Sequence, residues 1–141
     1  MLDDTVGMMK VFNYLLQESD ATEDDFAVGI SAAIKEGQYP RAESWAQEGL
    51  RKFKESHHLT PLYIRALRLQ GQIDNASSVI QNTSQDAMVE NPNYFLEKAI
   101  IFYELGDRES AHKLFQELIL FTDWPDIVEE AMVYLARIET P

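Results

Sequence analysis

Cysteine is absent from this chain of 141 residues, which excludes disulfide bonds and thiolate metal sites. Long apolar runs are absent too: no stretch approaches the roughly 18–20 residues of a membrane-spanning helix. The N-terminal segment carries Met8, Met9, Val11, Phe12, Leu15 and Leu16, but Asp3 and Asp4 precede them and Lys10 and Asn13 interrupt them. A secretory signal needs a basic start and an unbroken apolar segment. The expectation is therefore a soluble, cytoplasmic protein with no membrane insertion. Positive charge is scarce, with 12 Lys and Arg against 24 Asp and Glu and a net charge of −12. That balance repels a phosphate backbone and argues against a nucleic-acid partner. It serves solubility, or it recruits a basic partner.

Catalytic signatures are missing as well. His57 and His58 are adjacent and point apart, and His112 stands in no His-Glu-x-x-His helix. Each glycine is single, so no Gly-rich loop can cradle a phosphate. The acids of Ser19–Asp25 lack the Gly and alternating oxygens of a calcium loop. The sequence predicts no enzyme, no cofactor and no metal site.

What is present is a repeat. Gly37–Ala42 reads Gly-Gln-Tyr-Pro-Arg-Ala, Gly71–Ala76 reads Gly-Gln-Ile-Asp-Asn-Ala, and Gly106–Ala111 reads Gly-Asp-Arg-Glu-Ser-Ala. The glycines and the alanines recur at spacings of 34 and 35 residues, a period that marks a repeat array. Apolar residues at helical spacing precede and follow each turn. Helices are predicted over about 23–36, closed by Gly37, and from Pro40 to about Lys54. Further helices are expected over about 60–70, 73–83, 92–105 and 108–121, with a last one from Pro125 to about Ile138. Thr22 with Asp25 reads as a helix N-cap with an acid in the first turn. Ala42 and Gly49 are small groups suited to a close helix approach. The stretch 83–91 is the weakest and holds the extra residue of the second period. Residues 5–18 read as a helix with apolar groups on more than one face. This is either burial between neighbours or a second contact surface.

On these residues the chain resembles the tetratricopeptide repeat family over about 23–125. Its pattern sets a small or aliphatic residue seven before the turn Gly, an aromatic or aliphatic four before it, Ala five after it and an aromatic or aliphatic nine after it. The third unit supplies Ala99, Phe102, Gly106, Ala111 and Phe115. The second supplies Ile64, Leu67, Gly71, Ala76 and Ile80, and the first Ile30, Ala33, Gly37, Ala42 and Ala46. The bulky residue eleven before the Gly is Phe26 and Phe95 in two units but Thr60 in the second, and the inter-repeat Pro is displaced. The resemblance implies an all-α, right-handed superhelical array of antiparallel helix pairs. The expected organisation is an N-terminal helix and linker (1–22), three pairs (about 23–56, 57–91 and 92–124) and a C-terminal capping helix (125–141) with a polar outer face.

It also implies a non-catalytic module whose concave groove, lined by the first helix of each pair, binds a peptide or amphipathic helix of another protein. The groove positions here would be Ser31, Ile34 and Lys35, then Arg65, Arg68 and Leu69, then Leu96, Ile100, Tyr103 and Glu104. Arg65 and Arg68 suit a carboxylate-bearing ligand, or else pair internally with acids such as Glu97 or Glu104. Leu96, Ile100 and Tyr103 form an apolar stripe, the inward set being assigned to Phe95, Ala99 and Phe102. Members that clamp acidic chaperone tails use basic groove residues. Ala27, Ser31, Leu62, Asn93 and Glu97 stand there instead, which disfavours that role. Two further readings stay open: a dedicated secretion chaperone that shields an apolar client segment, and a structural subunit of a larger complex. Val6, Met8, Met9, Phe12 and Leu15 are the candidate self-association residues, with a homodimer as the state they would form.

Overall fold

The structure, a computed structural model, describes residues 4–140. Asp3, counted above among the acids ahead of the first helix, and Pro141 lie outside the described residues. The described residues form an all-α fold of nine helices without a strand. No helix among them is long and apolar enough to cross a membrane. The chain divides into two compact units, Met1–Gly71 and Gln72–Pro141. The division falls inside the range expected of the second helix pair.

The first unit contains α1 (Asp4–Gln17), α2 (Glu23–Lys35), α3 (Tyr39–Lys52) and α4 (Leu59–Leu69). A capping box starts α2. The Asp25 N–H donates to Thr22 Oγ1 (3.1 Å) and the Thr22 N–H donates to Asp25 Oδ2 (2.8 Å), satisfying two backbone donors that a helix start leaves unpaired. Gly37 ends α2 at φ 75°. Its N–H donates to the Ile34 carbonyl and that of Gln38 to the Ala33 carbonyl, the bonding of a Schellman motif. The turn brings α3 back onto α2, and α4 packs against both. Their shared core is Phe26, Ile30, Ala33, Ala42, Trp45, Ala46 and Leu59. Gly49 makes the close approach possible, since a Cβ there would sit 2.9 Å from a Leu59 methyl and 3.0 Å from the Phe26 ring. Lys52 Nζ donates to the Ser19 and Ala21 carbonyls, both at 2.8 Å, and so ties the end of α3 to the linker after α1.

The second unit contains α5 (Ile73–Gln81), α6 (Gln85–Glu90), α7 (Asn93–Glu104), α8 (Arg108–Phe121) and α9 (Pro125–Glu139). The weak stretch 83–91 holds a helix the sequence did not predict. Ser84 Oγ accepts from the Ala87 N–H to start α6, which is too short to show a period of its own. α7 is central, packing against α5, α6, α8 and α9. Gly106 ends it at φ 88° with the same pair of bonds as Gly37, from the Gly106 N–H to Tyr103 and from the Asp107 N–H to Phe102. Asp107 then caps α8 by accepting from the Ser110 N–H at 3.1 Å. Hydrogen bonds from the Ser110 side chain and then its backbone N–H hold the Asp107 carboxyl below the usual carboxylate range. α9 covers α8 and α7, and Ile127, Ala131 and Leu135 enter a core with Leu96, Ala99, Ile100, Ala111, Phe115 and Leu118.

The repeating positions are core positions. Ala42, Ala76 and Ala111 are fully buried, as are Ile30, Ile64, Ala99 and Phe115. Each of Gly37, Gly71 and Gly106 sits just past a helix end with positive φ.

Candidate interaction surface

The groove residues proposed from sequence divide sharply. On α2, Ser31 and Lys35 are exposed and Ile34 is half-buried. On α4, Arg65 and Leu69 are half-buried, whereas Arg68 is only 8% exposed. Arg65 and Arg68 are both engaged within the chain. A pair of solvent-facing guanidinium forks is therefore not what α4 presents. A charge this buried must find its counterpart inside the protein.

On α7 two of the four expected groove residues are core residues. Leu96 and Ile100 are 1% and 0% exposed and belong to the core. Phe95 and Phe102, assigned inward, are only half-buried and pack on the margin of that core. The assignment assumed one buried stripe, as for a surface helix. α7 has neighbours on several sides, so Tyr94, Leu96, Glu97, Ala99, Ile100 and Ile101 are all buried. Tyr103 is half-buried, its ring 5.3 Å from that of Tyr134 and 5.4 Å from the Arg108 guanidinium. Of the third set only Glu104 is fully open to solvent.

The α1 residues divide as well. Met9 is buried, and Met8 and Phe12 pack against the same core, with Phe12 tilted over Trp45 at 6.2 Å. These three hold α1 in place, Met9 fully buried and Met8 and Phe12 half-buried. Val6 and Leu15 are exposed, together with Val11 and Tyr14.

An apolar groove lies where the sequence reading expected a polar face. α9 carries two apolar stripes. The inner one is Ile127, Ala131, Tyr134, Leu135 and Ile138. The outer one is Pro125, Val128, Met132, Val133 and Ala136, which with Asp123 and Glu129 line an open groove of about 680 Å³. Met132 and Val133 are 57% and 46% exposed. Leu120 and Phe121 at the end of α8, and Trp124 before α9, are exposed as well. α9 seals the core below it, and its far side mixes the exposed Met132, Val133 and Ala136 with the exposed Asp126, Glu129 and Arg137. Met132 and Val133 stand beside the acids Glu129 and Glu130 in the sequence. The spacing of the outer residues was the signal that could have found them.

The histidines are dispersed. His58 Nδ1 lies 3.7 Å from Asp24, and His112 Nε2 lies 3.0 Å from Glu139. Among the described residues no three of His, Asp and Glu converge as metal ligands would. Compared with known proteins, the chain matches no family model and no curated sequence.

Proposed function

We propose that this protein is a non-catalytic protein–protein interaction module of the tetratricopeptide-repeat type, a right-handed array of helix pairs that works as an adaptor or assembly scaffold. Its repeat reading is supported by three in-phase glycines with positive φ at helix ends and three fully buried alanines five residues later. The observation that carries the interaction reading is the outer apolar stripe of α9. Exposed apolar groups scattered singly need no explanation, but a contiguous row along one helix marks a surface that another molecule covers. The contact surface is thus the far side of the last helix, and no longer a groove through Leu96 and Ile100.

A second reading, a subunit held in a larger complex through its terminal helices, is favoured by the exposed Val11, Tyr14 and Leu15 of α1. Affinity capture with the full chain tests both. Met132→Glu with Val133→Glu is expected to release the proteins retained by the wild type, and Val11→Glu with Leu15→Glu to leave them bound. Loss only with the α1 variant favours the subunit reading. Retention of the same proteins by both variants sinks the assignment to either surface.

A further inference from the structure

We propose that the outer face of α9 receives a helix of a partner protein that carries an apolar stripe flanked by Lys or Arg. This rests on the reading of that face as the contact surface, and it specifies the occupant.

Spacing points to a helix. Residues 125, 128, 129, 132, 133 and 136 follow one another at intervals of three, one, three, one and three, the repeat that places side chains in a single row along an α-helix. Rows of this kind pack against a matching row on a second helix, as the a and d residues of a coiled coil do. An extended strand presents a side chain to one face every second residue and has no such register to offer. From Pro125 to Ala136 the row runs about 16 Å at 1.5 Å per residue, roughly three turns. The side chains are unbranched or small at Met132 and Ala136, which lets a partner helix settle without a deep pocket.

Charge decides the flanks. The two polar residues of the groove lining are both acids, Asp123 and Glu129. Asp126 stands exposed on the same helix. Arg137, the one base of α9, is exposed too, with its guanidinium over the Tyr134 ring at 5.0 Å, and like Asp126 it is not part of the lining. A helix bringing Lys or Arg to the rim gains attraction and faster encounter. A second copy of this chain would bring the same acids against each other, on a molecule of net charge −12, and is disfavoured for that reason.

The test titrates the full chain against two labelled synthetic peptides of about 18 residues, long enough to form a helix on binding. Both carry Leu at i, i+3, i+4 and i+7. One has Lys beside the stripe, the other Glu at the same positions. The Lys peptide is expected to bind at least about tenfold more tightly, and to weaken as salt rises from about 50 to about 500 mM. Asp123→Asn with Glu129→Gln should cost about fivefold in its affinity. Glu18→Gln with Asp20→Asn, the same charge change on the other compact unit, should cost less than about twofold. Equal binding of the two peptides, both lost in Met132→Glu with Val133→Glu, would overturn the charge rule while leaving the surface standing. Failure of the Lys peptide to bind overturns the proposal, whatever the affinity capture shows. A dimer in light scattering that Met132→Glu with Val133→Glu disperses overturns it too, by making the occupant a second copy.

Discussion

A glycine-to-alanine change has opposite consequences at different positions of this chain, because backbone conformation decides what the added methyl costs. Gly106 holds φ 88°, a region where an L side chain pays about 1–2 kcal/mol. Gly7 lies within α1, and nothing stands within 4 Å of the Cβ it lacks. There alanine gains in helix propensity and loses nothing in packing. Gly106→Ala is expected to lower unfolding stability by about 1 kcal/mol, and Gly7→Ala to raise it by about 0.5–1 kcal/mol. Urea unfolding of the two variants checks both signs. The turn at Gly106 was legible in sequence from its recurrence in register.

At the scale of the helix, α7 shows how burial overrides a one-stripe reading. Leu96→Ala and Ile100→Ala should each cost about 2–5 kcal/mol, the range for emptying a packed apolar site. A groove residue replaced in the same way would change stability by no more than about 0.5 kcal/mol, so thermal unfolding separates the two roles. The N-cap of α8 carries a pH signature. The Asp107 carboxyl is depressed by its hydrogen bonds with Ser110. A group depressed in the folded state binds its proton more readily when unfolded. Its stabilising contribution is therefore full above the unfolded value near 3.8 and is lost as pH falls through the folded one. Asp107→Asn keeps a capping side chain and removes the titration. It is expected to flatten the acid limb of a stability–pH profile around pH 3–4 while changing stability at pH 7 little.

For the molecule as a whole, the excess of acids and the apolar face of α9 belong together. On a molecule of net charge −12, Asp123 and Glu129 stand at the exposed apolar row, where like charge opposes contact between two copies. Because Met132 and Val133 are exposed, replacing both with Glu should leave the melting temperature within about 2 °C of wild type while partner capture is lost. A large drop in melting temperature would mean that the row is internal support and not a contact surface.

Much of the architecture was written in local chemistry. The three turns, their glycines and their buried alanines follow from backbone sterics and from how closely two helices approach, and both leave a mark at each residue concerned. The N-cap at Thr22 and the Pro125 start are local in the same sense. The burial of each helix is not local. Whether Leu96 and Ile100 face a groove or a core depends on how many neighbours surround α7, and no period within the helix records that number. α6 was missed because six residues are too few to show a period. The outer stripe of α9 was hidden by a related ambiguity. Two apolar stripes on one helix mean burial on both sides or one face left for a partner, and only tertiary packing shows that α7 and α8 cover the inner stripe and leave Val128, Met132, Val133 and Ala136 in the open groove.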